Sequence, residues 1–386
     1  MSDHSTEKTR KVDFVTLGFV GLFFVIYFLV PKSSAIKVDG DFRLFSLYLQ
    51  PWFLQRYFLV ALCLGYACLM FVLGNVKLTQ RNLLYLILTL LLLTYQFLEG
   101  EFVVFYAVTG VVSSYCLIFQ VYKREFPKWF LWCAVLAAAA YVCQYFAYRV
   151  SVRITSSFLD PNIAGYYLFL CYVVFRAAGI KTLAGIALCC GALSLSRNFY
   201  LAVFVFELVN IKYVTVFLKN RLALRSPLIV SIMSLAAILL VSFSIISFSN
   251  PNDTIGSTSD RLSNINDGSN YSRSMANIEM LHRLADGDFW LKGLGNEMDL
   301  ETEHRPHNAF LRAVYRYGMA LSVMAFIGFF FVMAYNVAYN YAFFISIFAY
   351  YTLLNDFITG PDLTLMLCVG VISHAFKLSR GKEDDI

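Results

Sequence analysis

The sequence predicts an all-α fold, a bundle of about twelve apolar helices threaded through a membrane as one domain over residues 1–386. Three observations predict it. Of 386 residues, 59% are apolar and 15% charged, whereas a soluble domain carries roughly 25% charged residues. The apolar residues gather in uninterrupted runs such as Val12–Val30 and Pro227–Phe248, near the roughly 20 residues that cross a hydrocarbon core. Finally, these runs are apolar on every side, whereas a membrane strand would alternate at period two.

In chain order the spans fall near 12–30, 52–74, 82–98, 101–121, 128–147, 162–178, 181–196, 198–218, 227–249, 309–334, 341–354 and 361–376. The first follows a polar tail ending in Lys8, Arg10 and Lys11, and Phe24 to Pro31 contains no small-residue cleavage site, so it reads as a retained helix. Lys77 and Arg81 part the second span from the third, and Lys123, Arg124 and Lys128 part the fourth from the fifth. Arg149 and Arg153 follow the fifth, Arg176 and Lys181 mark the sixth boundary, and Arg197 interrupts an almost continuous apolar stretch between the seventh and eighth. Lys219, Arg221 and Arg225 precede the ninth, the long polar segment 250–308 precedes the tenth, and Lys377, Arg380 and Lys382 follow the last.

With the N-terminus inside, the inner segments hold seventeen of the 31 Lys and Arg residues, the short outer loops seven, and the long loop with its immediate continuation the other seven. Because long loops weigh little in the positive-inside rule, both termini come out cytoplasmic and 250–308 becomes a large extracytoplasmic loop. The same asymmetry accounts for the net charge of +6, leaving no basic stripe for nucleic acid. All nine cysteines lie inside apolar spans without CxxC or His/Cys spacing, which fits small hydrophobes rather than disulfides or a zinc site.

Ionisable residues at membrane depth or at its edge are costly, and they form the candidate site. Arg197, within Leu193-Ser-Leu-Ser-Arg-Asn-Phe-Tyr200, presents a planar fork of donors suited to phosphate oxygens, although an interfacial arginine snorkelling to headgroups has the same position. Arg153 precedes Leu159-Asp-Pro-Asn-Ile-Ala-Gly165, where Asp160 or Asn162 caps a helix that Pro161 begins. In the long loop, 250–270 is rich in Ser, Asn, Asp, Gly and Thr, after which Met275, Ile278, Met280, Leu281 and Leu284 recur at helical spacing. The spacing predicts an amphipathic helix over Ser272 to Leu284 with Arg273 at its start, where a cation opposes the helix dipole, and Arg283 near its end, where a cation is ordinary.

Phe289-Trp-Leu-Lys-Gly-Leu-Gly295 then predicts a glycine turn, and Glu297, Asp299, Glu301 and Glu303 read as a solvated acidic face rather than a divalent-cation site. His307, between Pro306 and Asn308, falls at a helix start, where an anion can be received and a neutral imidazole kept basic. Such a histidine suits general-base work, and an ordinary interfacial histidine is the bland alternative. His304 lies before the proline, farther from the membrane.

The ordered set Ser196-Arg197, Arg273, Trp290 with Gly293 and Gly295, and Pro306-His307-Asn308 with Leu311 and Gly318 resembles the O-antigen ligase and O-antigen polymerase family over roughly residues 150 to 360. Asp160-Pro-Asn-Ile-Ala-Gly165 resembles a turn common in its polymerase members, while Asn198 departs from the small residue that follows Ser-Arg in many relatives.

The resemblance implies a GT-C-like, metal-independent, inverting glycosyltransferase of the bacterial inner membrane, without cofactor, its active site facing the periplasm. Its donor would be an undecaprenyl-diphosphate-linked glycan and its acceptor a second lipid-linked repeat unit or, for a ligase, the lipid A core. Membrane lipids and a chain-length regulator would be further partners. Arg197 and Arg273 would hold the diphosphate and His307 would act as base, with Arg153, Asn162, Arg305, Asn308 and Asp356 supporting. A flippase for lipid-linked glycans, which needs no base, is the alternative from another class.

Overall fold

The computed structural model describes residues 3–29, 51–73, 126–145, 161–211, 268–294, 309–324, 340–352 and 361–384, together with single residues and pairs between them. Ten helices with both bounds described run through these segments. They are α1 (Asp3–Leu29), α2 (Pro51–Val72), α3 (Lys128–Tyr145), α4 (Pro161–Ala178), α5 (Lys181–Leu193), α6 (Arg197–Asn210), α7 (Gly268–Ala285), α8 (Ala309–Tyr317), α9 (Tyr341–Thr352) and α10 (Pro361–Asp384). Among the described residues the fold is all-α apart from two antiparallel pairings of two residues each, β1 (Arg43–Leu44) with β2 (Leu47–Tyr48) and β3 (Arg149–Val150) with β4 (Arg153–Ile154). Among the described residues no helix is long and apolar enough to cross a membrane. The spans expected at 82–98, 101–121 and 227–249 lie outside the described residues except for isolated positions.

Helix α4 is the axis of the packing, touching α3, α5, α6 and α10. Its sequence is apolar on every face, and Tyr166 to Phe175 are buried throughout, as a helix surrounded by others must be. Pro161 occupies its first position, where the missing N–H costs nothing, and Gly179 ends it in the left-handed region at φ +78°. Around its first half the rings of Tyr27, Phe28, Tyr141 and Tyr167 interlock, with centroids between 5.6 and 6.1 Å apart across α1, α3 and α4.

α4 and α6 lie side by side and in the same direction, joined at both ends. At the far end Arg176 makes a two-pronged pair with Glu207 (Nε to Oε1 2.9 Å, Nη2 to Oε2 2.7 Å), and the Tyr172 hydroxyl donates to the same carboxylate at 2.6 Å. A hydroxyl pair, Ser113 with Thr364 at 2.8 Å, ties α10 to residues near 113 inside the apolar core. Such bonds are the cross-helix polar contacts available to a bundle of apolar segments.

Two elements differ from expectation for local reasons. α7 begins at Gly268, four residues before Ser272, so Arg273 sits in its second turn and escapes the end-of-helix dipole. The buried stripe of α7 is Ala276, Asn277, Met280 and Leu284, while Met275, expected on it, is exposed. The tenth span does not continue as one helix: it breaks at Gly318, φ +86°, and resumes over 319–324.

Candidate functional site

At the start of α4 three distant segments converge. α5 stops because the Ser194 hydroxyl turns back to the Gly191 carbonyl at 2.7 Å and Leu195 adopts φ +52°. A left-handed leucine costs roughly 1–2 kcal/mol, so the chain holds that turn against a local preference. Tyr200 braces it from α6, its hydroxyl donating to the Ala192 carbonyl at 2.9 Å.

Ser196 follows in extended conformation as the residue that caps α6, yet its hydroxyl makes no bond to the helix. It donates instead to Asn162 Oδ1 at 3.1 Å, and the Tyr350 hydroxyl, arriving from α9, donates to the Asn162 carbonyl at 2.7 Å. Gly165 makes the approach possible. A Cβ there would stand 3.1 Å from both Ser196 Cβ and the Tyr350 oxygen and 3.3 Å from Phe199 Cβ, closer than side chains ordinarily pack.

Arg197 is the first residue of α6 and is partly buried. There the helix presents its positive end, so a guanidinium is disfavoured unless negative charge joins it. The opposition between cation and dipole that the sequence suggests for Arg273 is found in the structure at Arg197. Asn198, the departure from the family pattern, is buried as the second residue of the helix.

A second assembly joins α7 to α8. The Trp290 indole donates to the Leu284 carbonyl at 3.2 Å, and Phe289 takes φ +60° beneath the Arg283 guanidinium, 4.5 Å from its ring centroid. The segment then docks on the helix break: Met319 N–H donates to Phe289 O at 2.7 Å, Ala320 N–H to Trp290 O at 3.0 Å, and Leu294 N–H to Tyr315 O at 2.8 Å. Gly293 and Gly318 permit this contact. A Cβ on Gly293 would overlap the Arg316 carbonyl, and one on Gly318 would lie 2.8 Å from the Leu291 carbonyl carbon. Both glycines are thus places where backbone meets backbone.

Of the sequence-derived candidates, Asn162 and Ser196-Arg197 come together. Arg273 and Arg153 have described backbones only, in α7 and in β4. Arg305, His307, Asn308 and Asp356 lie outside the described residues, as do Asp160, His304 and the acidic run 297–303.

Sequence reading overlooked three residues. Arg312 and Arg316 stand at i and i+4 on α8, with Arg316 buried, in the expected span 309–334, which contains no acidic residue; counting them as loop charge concealed them, although within an expected span both are marked by the rule for buried charge. Tyr350 carried no signal, being one tyrosine in an aromatic run. No family model, curated protein or solved structure matches the chain.

Proposed function

We propose that this chain is a multi-pass membrane glycosyltransferase that polymerises undecaprenyl-diphosphate-linked repeat units at the extracytoplasmic face of a bacterial inner membrane. The observation that carries this reading is the union of Asn162 and Gly165 with Ser196-Arg197. These two motif pieces resemble the same family, lie apart in sequence, and meet through the Ser196–Asn162 bond of 3.1 Å. With the Ser196 hydroxyl turned toward α4, the arginine-bearing end of α6 suits a phosphate.

Membrane embedding is supported by the outward helix faces. Phe58 on α2, Leu136 on α3 and Phe204 on α6 are 57%, 67% and 65% exposed, and Leu22, Trp132 and Ile186 add to them. Soluble proteins rarely leave so many large apolar side chains facing outward on successive helices.

In the proposed reaction an acceptor hydroxyl oxygen attacks the anomeric carbon of the donor glycan. The bond from that carbon to the diphosphate oxygen breaks, undecaprenyl diphosphate departs with the electron pair, and His307 takes the hydroxyl proton. Negative charge grows on the leaving group as the bond breaks, so Arg197 and Arg273 stabilise the transition state more than the bound donor.

The deciding experiment supplies purified protein with lipid-linked repeat units alone. A polymerase yields a ladder of products, a ligase yields product only after lipid A core is added, and absence of product with both acceptors overturns the reading. The helix break at Gly318 is the feature that favours a carrier, since transporters bind substrate at broken helices. A carrier would keep its activity in His307→Gln, whereas the transferase should lose about a hundred to ten thousandfold in rate, with His304→Ala as the control that retains it.

A further inference from the structure

We propose that Tyr350 is a positioning residue of the Arg197 site: its hydroxyl, carried by α9, holds the start of α4 so that Asn162 can receive the Ser196 hydroxyl. The inference rests on the transferase reading above and adds to it a residue from a third element. The relay has two bonds and four groups. Tyr350 Oη donates to Asn162 O at 2.7 Å, and Ser196 Oγ donates to Asn162 Oδ1 at 3.1 Å. The residue that follows Ser196 is Arg197.

The two outer members of the relay are fixed by burial. Tyr350 and Ser196 are both completely buried, and the Tyr350 ring packs edge-on against Tyr166 at 5.4 Å and stacks near Phe169 at 6.2 Å. Gly165 lets the hydroxyl and Ser196 approach to the limit of contact. Tyr350 therefore cannot reach a substrate, and its influence passes through the main chain of Asn162. A carbonyl oxygen has two lone pairs, so it takes this bond without giving up a helical one. What Tyr350 supplies is a fixed position of the α4 start relative to α9, which itself packs along α6, so that Asn162 stays within reach of Ser196. A misplacement on the order of 1 Å of a substrate-holding group can cost about a hundredfold in rate.

The test uses the full-length protein and a synthetic undecaprenyl-diphosphate-linked glycan. Tyr350→Phe keeps both ring contacts and loses only the hydroxyl. Its kcat/KM should fall about three- to tenfold, the range for one net hydrogen bond, with membrane level unchanged. Ser346→Ala, which removes a buried hydroxyl bonded locally to the Ala342 carbonyl at 2.6 Å on the same helix, should transfer at the wild-type rate.

Coupling is the sharper readout. If Tyr350 acts through Asn162 and Ser196, its substitution should have little further effect in a Ser196→Ala background, so the two losses are not additive. 4-Aminophenylalanine at position 350, which restores a donor on the same ring, should recover transfer. Additive losses, a Tyr350→Phe protein as active as wild type, or one that no longer accumulates in the membrane would each overturn the proposal. If Tyr350→Phe is fully active while Arg197→Lys is impaired, only this inference fails; if wild-type protein makes no product, the transferase reading fails with it.

Discussion

Arg197 shows how one residue combines two opposed demands. It opens α6, where the helix dipole disfavours a cation, and the serine before it caps nothing in α6 but bonds across to α4. In the proposed site a diphosphate would supply negative charge there, and a fork of donors meets phosphate oxygens as a single ammonium cannot. Arg197→Lys should therefore lower transfer from a diphosphate donor at least tenfold while membrane level and thermal unfolding stay as in wild type. Retention of full activity would identify the side chain as a headgroup anchor, because lysine reaches the interface as well as arginine does.

At the scale of elements, the glycines separate spacing from freedom. Gly185 and Gly191 lie on the same helix, α5; a methyl group at the first would have nothing within 4 Å, while one at the second would collide with the Phe199 ring. Gly185→Ala should stabilise by about 0.5–1 kcal/mol, the penalty of glycine in a helix. Gly191→Ala should destabilise by about 1–3 kcal/mol, because Phe199 is fully buried and cannot yield. Thermal unfolding in detergent checks both, and the Gly191 variant should also lose transfer, since Phe199 neighbours Ser196-Arg197 on the same turn.

The same scale shows what the sequence makes legible. Helix positions followed from apolar runs bounded by charge, so α3, α4, α5 and α9 begin within a residue of expectation. The ends of α1, α7 and α10 did not, because Asp3–Arg10, Gly268–Tyr271 and Lys377–Asp384 are polar helix that no apolar period marks. The break at Gly318 was hidden for another reason: no proline marks it as a boundary, and it coincides with the docking of a partner segment from elsewhere in the chain. Asn162 and Arg197 were nameable as candidates, but their union depends on Gly165 and on Tyr350, which hydropathy does not distinguish from their neighbours.

For the whole molecule, the proposed reading fixes an orientation through the Lys and Arg distribution alone. A tag at residue 260 should be labelled from the extracytoplasmic side and one at residue 222 only after the membrane is opened, as the Lys and Arg distribution requires. Labelling of position 222 in sealed cells would reverse the scheme and take the Arg197 end of α6 away from the periplasm. Charge also bears on metal: in the proposed reaction Arg197 and Arg273 take the part of a divalent cation, so transfer should survive EDTA, and rescue of a chelated enzyme by magnesium or manganese would return attention to the acidic run 297–303.

The docked segment at the helix break carries one more consequence, for the order in which the chain is made. Phe289 and Trp290 receive the Met319 and Ala320 amides, and Leu294 reaches Tyr315, so the strap always lies ahead of the helix it caps. A chain emerging from its N-terminus has the strap ready before 309–324 arrives, and only about twenty to thirty residues need close, a short loop whose entropy grows slowly with length. The amides of the broken helix therefore have partners that precede them in the chain and need nothing from α9 or α10.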